Sequence, residues 1–166
     1  VAAGTTSRSA RARQDVTTTR QVDLTITQGT SMAAAASPDG QSIAIDLLGG
    51  IWILPARGGD AKRITPELLE ARQPAWSPDS HSIAFQGYED GAWHIYAIGA
   101  DGGEARTITS GTFDDREPAW SNDGSRIAFV SDRSSTFPTL QLMAADGTGR
   151  HAVATPGLQE EDVDSL

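Results

Sequence analysis

The acidic run Asp114-Asp115-Arg116-Glu117 is where this sequence comes nearest to a ligand site. Three carboxylates within four residues, Asp114, Asp115 and Glu117, suit a hard cation such as Ca²⁺, which takes oxygen ligands. The simpler reading is a solvated acidic loop in which Arg116 is paired internally. Arg116 also has a counterpart 44 residues earlier, because Arg72-Gln73-Pro74-Ala75-Trp76 returns as Arg116-Glu117-Pro118-Ala119-Trp120. Two guanidinium groups at the same place in two copies of a motif can meet a shared anionic group, or can bridge to neighbouring units.

Other chemistry is thin. His81, His94 and His151 include no His-x-His pair and fall short of the ligand count of a metallohydrolase centre, so they read as solvated or edge side chains. There is no cysteine, hence no disulfide and no thiolate metal site. Neither a Gly-x-Ser-x-Gly nucleophile turn nor a Gly-Lys-Ser/Thr phosphate loop occurs. The expectation is a chain with no catalytic residue, cofactor or metal centre of its own. Trp52, Trp76, Trp93 and Trp120 read as packing residues rather than a ligand platform.

The net charge of −9 argues against nucleic acid or an anionic membrane as the main partner. No apolar run approaches the roughly 18 residues that a membrane-spanning helix needs. With 38% hydrophobic residues the chain can build a packed core. Residues 1–19 are mostly Ala, Thr, Ser and Arg, which cannot bury enough surface to offset the entropy of ordering. They are expected to be disordered, either a mature N-terminus left by signal-peptide removal or the end of a truncated product, and the first of these fits a periplasmic or secreted protein.

The elements that must position these residues are set by a repeat. Ser37-Pro38-Asp39-Gly40 returns as Ser77-Pro78-Asp79-Ser80 and again as Ser121-Asn122-Asp123-Gly124, at spacings of 40 and 44 residues. Each copy leads into the same apolar run: Ile43-Ala44-Ile45, Ile83-Ala84-Phe85 and Ile127-Ala128-Phe129. A period in this range, made of short strands and tight turns, predicts an all-β propeller of four-stranded antiparallel blades. The Ser-Pro-Asp-Gly turn fits a type I turn, and Ser80, replacing Gly, is expected to carry some strain. The second strand is apolar on both faces, large on one and alanine on the other, as a blade covered on both sides requires.

Other repeat landmarks, Gly58-Gly59 to Gly102-Gly103 and Ile64-Thr65 to Ile108-Thr109, keep an offset of 44. The four extra residues of the second unit therefore lie between its second and third strands, at Gln86–Gly91. The expected blades span 28–65, 66–109 and 110–154. Residues 20–27, where Ile26-Thr27 matches Ile64-Thr65, read as the outer strand of another blade, and residues 157–166 read as a tail or the start of a further one. Three blades and an orphan strand make an incomplete ring, since propellers usually need 4–8 blades.

Ala75-Trp76-Ser77-Pro78-Asp79, Ile83-Ala84-Phe85, Ile95-Tyr96, Asp101-Gly102-Gly103 and Ile108-Thr109 together resemble the TolB-like propeller repeat. The stretch from Ile43 to Pro55, with Gly58-Gly59-Asp60-Ala61 and Arg63-Ile64-Thr65, is similar to the first blade of the propeller that precedes the catalytic barrel in bacterial amidohydrolase-family proteins. Ala36 in place of Trp, and Asn122 in place of Pro, depart from the repeat. The amidohydrolase resemblance implies the non-catalytic propeller of a larger metal-dependent hydrolase, shaping access or assembly. The TolB resemblance alone implies an exported protein-binding module with no enzymatic partner domain. Either way the expected partners are proteins, including the remaining blades or a catalytic domain, on the same or another chain.

Overall fold

Three antiparallel sheets, each of four strands, make up residues 32–133 and 137–154, which are the residues that the computed structural model describes. The first blade holds β1 (Ala34–Ala36), β2 (Ser42–Leu47), β3 (Gly50–Pro55) and β4 (Lys62–Arg63). The second holds β5 (Glu70–Trp76), β6 (Ser82–Glu89), β7 (Ala92–Gly99) and β8 (Arg106–Thr107). The third holds β9 (Asp115–Trp120), β10 (Arg126–Ser131), β11 (Thr139–Ala144) and β12 (His151–Ala152). In every blade the strands pair in chain order. The architecture is that of an open, incomplete β-propeller. No helix among the described residues is long and apolar enough to cross a membrane.

Strands β1, β5 and β9 contact one another in succession, whereas β4, β8 and β12 contact no strand outside their own blades, so the first strand of each unit forms the inner edge. The outer strands are two residues long. The proposed outer strand at 20–27, the N-terminal segment and residues 157–166 lie outside the described residues.

The three turns are nearly identical because their chemistry is. The amide of Gly40, Ser80 or Gly124 donates to the carbonyl of Ser37, Ser77 or Ser121 at 2.9–3.0 Å. The serine hydroxyl donates to the aspartate two residues on, at 2.5–2.6 Å. That carboxylate then accepts the amide of Gln41, His81 or Ser125. Ser80 has φ +63°, beside +69° and +71° at the two glycines, so the expected strain is present. Its Oγ accepts the Asp39 amide of the first blade's turn at 3.1 Å, a contact glycine cannot make.

Packing between blades joins unlike faces. Ala35, Ala44 and Ile53 of the first blade lie against Trp76, Ile83, Phe85, Tyr96 and Ile98 of the second. Ala84 and Ile95 of the second lie against Trp120, Ile127, Phe129 and Met143 of the third. Small side chains on one face let the large ones opposite interdigitate at core density. In the middle blade Ile83, Ala84 and Phe85 all have 0% exposure, which is why both faces of this strand had to be apolar.

Two further contacts repeat. The Trp76 indole N–H donates to Ala35 O at 2.9 Å, and the Trp120 indole N–H to Ala75 O at 3.2 Å. The Gln73 amide donates to Asp46 Oδ2 at 2.9 Å, and the Glu117 amide to Gln86 Oε1 at 3.0 Å. Gln73 and Glu117 have φ +55° and +54° at bulges in the inner strands. Their cross-blade bonds help hold a conformation that costs of order 1 kcal/mol or more.

Candidate functional site

The functional candidates gather at the end of the inner edge opposite the Ser-Pro-Asp turns. The four-residue insertion explains why. Blade 1 turns from β2 into β3 through Leu48-Gly49, and blade 2 makes the same turn through Asp90-Gly91, all four residues having positive φ. The insertion therefore does not loosen the loop. It extends the hairpin by two pairs, Tyr88 with Trp93 and Glu89 with Ala92. Tyr88 and Trp93 are thus carried beyond the reach of blade 1, their ring centroids 5.3 Å apart.

Trp93 is the centre of the site. The Arg72 guanidinium lies 5.9 Å from its ring centroid and that of Arg116 lies 5.5 Å away. The two arginines come from successive inner strands, β5 and β9, and converge on one indole. Each is held by a carboxylate two residues before it, Arg72 by Glu70 at 2.9 Å and Arg116 by Asp114 at 2.6 Å. These pairs are half exposed, so each contributes at most about 1 kcal/mol to stability. A cation over a half-buried indole such as Trp93 adds of order 1 kcal/mol. The energies are small, but the effect on geometry is to hold two cationic planes beside an aromatic face with donors to spare.

Asp114 ties the blades together. Its Oδ1 accepts the Trp93 amide at 3.0 Å and its Oδ2 takes Arg116. Partial burial alone would raise its pKa, yet the Trp93 amide and the Arg116 guanidinium outweigh that and hold the carboxyl below its ordinary range. Asp115, fully buried, turns the other way and pairs with Arg133, which also bonds Ser131 Oγ at 3.0 Å. Glu117 sits at the bulge, exposed.

The structure therefore brings Arg72, Arg116 and Asp114 together and separates Asp115 and Glu117 from them. Asp115, Arg116 and Glu117 belong to strand β9, and only Asp114 precedes it. Strand alternation separates Asp115 from Asp114, and the bulge at Glu117 (φ +54°) breaks the register that would have returned Glu117 to the face of Asp115, so the three carboxylates do not converge. Among the described residues no three His, Asp or Glu side chains form a group able to hold a metal ion. The histidines are scattered: His81 follows a turn, His151 lies on β12, and His94 is buried opposite Gly87 with Nδ1 lacking a hydrogen-bond partner. The sequence reading missed Trp93 and Tyr88 as site residues. The one signal for them was the change of spacing from 44 to 40, which marks the insertion that carries them.

The family model of the TolB β-propeller domain (PD40) matches residues 6–161. The chain belongs to this family. As a TolB-type propeller it is similar to the structure of putative TolB from Agrobacterium tumefaciens, with 26% identity and a TM-score of 0.67 over 76% of this chain and 50% of that one. TolB from Acinetobacter baumannii follows at 23% identity and a TM-score of 0.61, over 75% and 32%. A puromycin-hydrolysing peptidase from Mycobacterium tuberculosis matches at 16% identity and a TM-score of 0.62, over 78% and 22%, which shows the shared fold alone. No curated protein matches the chain. This TolB-type chain spans half or less of the length of these solved structures.

Proposed function

We propose that this TolB-type propeller is a non-catalytic, exported recognition module whose protein-contact surface is the Arg72–Trp93–Arg116 cluster. One observation carries this reading: two arginines from separate blades converge on an indole that the repeat does not supply. Tryptophan, tyrosine and arginine are the residues that dominate protein contact surfaces. Glu70 and Asp114 pre-position the guanidinium groups, leaving donors free for a carboxylate or main-chain carbonyl of the partner. The sequence offers no nucleophile turn and no paired histidines to give the chain hydrolytic chemistry.

The test is selection from a displayed library of random dodecapeptides on the purified chain, with the Arg72→Ala/Trp93→Ala/Arg116→Ala variant as control. The expected result is enrichment of carboxylate-bearing peptides on the parent, lost on a variant that keeps its β circular dichroism. Equal enrichment on both would overturn the reading.

A second reading rests on the blade 1 sequence. The run from Ile43 to Pro55 is similar to the first blade of amidohydrolase-associated propellers, which makes the chain the non-catalytic front of a metal-dependent hydrolase. It is tested in the full-length gene product, where a chelator-sensitive hydrolase activity is expected. A full-length product without His-x-His ligands would remove it.

A further inference from the structure

A cleft of about 500 Å³ lies between blades 1 and 2 at the turn end of the blades, away from the Arg72–Trp93–Arg116 cluster. Ile53 of blade 1 and Trp76 of blade 2 supply apolar lining. The polar lining comes from both sides, Asp39 from the blade 1 turn and Ser80, His81 and Asp101 from the turn and hairpin of blade 2. The size falls within the range of about 300–1,000 Å³ that small-molecule sites occupy.

The repeat provides a control, because blades 2 and 3 enclose a smaller cleft of about 390 Å³ at the equivalent place. In blade 3 the equivalent polar groups are already used. Asp146, in the place of Asp101, accepts the Thr148 amide and hydroxyl at 2.9 and 2.7 Å. Ser125, in the place of His81, donates its hydroxyl to Asp123 at 2.8 Å. In blade 2, Gly103 stands where Thr148 stands. The Asp101 carboxylate and the His81 ring accordingly have no hydrogen bond or ion pair among the described residues. Lys62 reaches the same hairpin at 2.9 Å, but on Asp101 O, which leaves the carboxylate unengaged.

Asp39 is held ready on the opposite wall. Its Oδ1 accepts the Ser37 hydroxyl and the Gln41 amide, which keep the carboxyl below its ordinary range, and its Oδ2 has no partner among the described residues. Ser80, the strained residue of the second turn, braces this wall by accepting the Asp39 amide at 3.1 Å. Gly124 has no hydroxyl with which to do the same for Asp79. No three His, Asp or Glu side chains among the described residues gather closely enough to hold a metal ion. A ligand that satisfies both Asp39 and Asp101 must therefore be cationic at two separate points and apolar between them.

We propose that this cleft binds a small aliphatic diamine, one ammonium on Asp39 and the other on Asp101, with the methylene chain against Ile53 and Trp76. The neutral His81 ring offers one further acceptor. The inference is independent of the Arg72–Trp93–Arg116 reading and stands or falls separately.

The test is calorimetric titration of the full-length chain with cadaverine, pentylamine and acetyl-lysine amide. Cadaverine is expected to bind about tenfold or more tightly than either mono-ammonium probe, the gain of one additional charge-assisted hydrogen bond. Asp101→Asn should remove that gain, whereas Asp146→Asn, at the equivalent position of blade 3, should leave it intact. Absence of cadaverine binding, or equal binding of cadaverine and pentylamine, would overturn the proposal. Equal losses in Asp101→Asn and Asp146→Asn would do so as well, since they would reflect attraction to the net charge of −9 rather than a site. Acetyl-lysine amide binding as tightly as cadaverine would also count against it, by assigning the cleft to a lysine side chain of a protein. Should Asp101→Asn lose its β circular dichroism, Asp39→Asn, which keeps the Oδ1 acceptor, takes its place and faces the same outcomes.

Discussion

Arg133 closes over Asp115, a carboxylate with no exposure to solvent, from 18 residues further along the same blade. Asp115 opens the inner strand β9 and Arg133 follows the second strand β10, so the pair fastens one end of the third blade. Phe113, beneath the guanidinium at 5.0 Å, and Ser131 Oγ complete its surroundings.

Removing one member of such a pair leaves a buried charge without compensation. Arg133→Met is expected to destabilise the chain by about 3–5 kcal/mol. Chemical denaturation followed by circular dichroism measures it, and Arg133→Met with Asp115→Asn should recover part of the loss. A cost under 1 kcal/mol would show that Asp115 is not relying on Arg133.

Trp76 tests the bond between blades 1 and 2. Trp76→Phe keeps most of the ring volume but leaves Ala35 O unpaired, for an expected cost of about 1–2 kcal/mol. Trp76→Ala also opens a cavity beside Ile83 and Phe85 and should cost about 3–5 kcal/mol. If the two substitutions cost the same, the hydrogen bond rather than packing would carry the interface.

Gly87 permits the close approach of Tyr96. A Cβ there would lie 2.7 Å from Tyr96 Cε2 and 3.1 Å from Leu69 Cδ1. Tyr96 can swing away only by giving up its stacking on Phe85 at 5.5 Å and its hydrogen bond to Glu89 Oε2 at 2.6 Å. Gly87→Ala is therefore expected to cost about 1–3 kcal/mol through overpacking. The phenol of Tyr96, pushed up to about 12 by burial and then by Glu89, should titrate at lower pH in that variant, as ultraviolet absorbance would record.

The turn aspartates set the acid response. Hydrogen bonds from the Ser121 hydroxyl first, then from the Ser125 amide and hydroxyl, lower Asp123 from its ordinary 3.8 to about 2. A carboxyl whose folded pKa is depressed contributes stability that is complete above about pH 4 and is lost as pH falls through about 2. Asp39 and Asp79 are lowered by their own serines in the same direction. A carbon-detected titration should place the Asp123 midpoint near 2 in the parent and higher in Ser121→Ala. An unchanged midpoint would mean the serine does not stabilise the carboxylate.

The sequence by itself determined the blade. Turn chemistry at Ser37, Ser77 and Ser121, and strands that are apolar on both faces, are local signals, so the strand order and the four-strand unit could be read directly. It also determined that these three units do not close a ring by themselves. What it could not supply was the meeting of residues from different blades. Arg72 and Arg116 were visible as equivalent positions, but that both lie over Trp93 depends on a hairpin extended by two residue pairs and on the angle between two sheets. Likewise, Asp114 and Asp115 are adjacent in sequence and identical in type, yet one faces Arg116 at the inner edge and the other is buried against Arg133. The alternation of a β-strand sends neighbours to opposite faces, and only the packing of the blades decides which arginine each meets and which of the two pairs is buried.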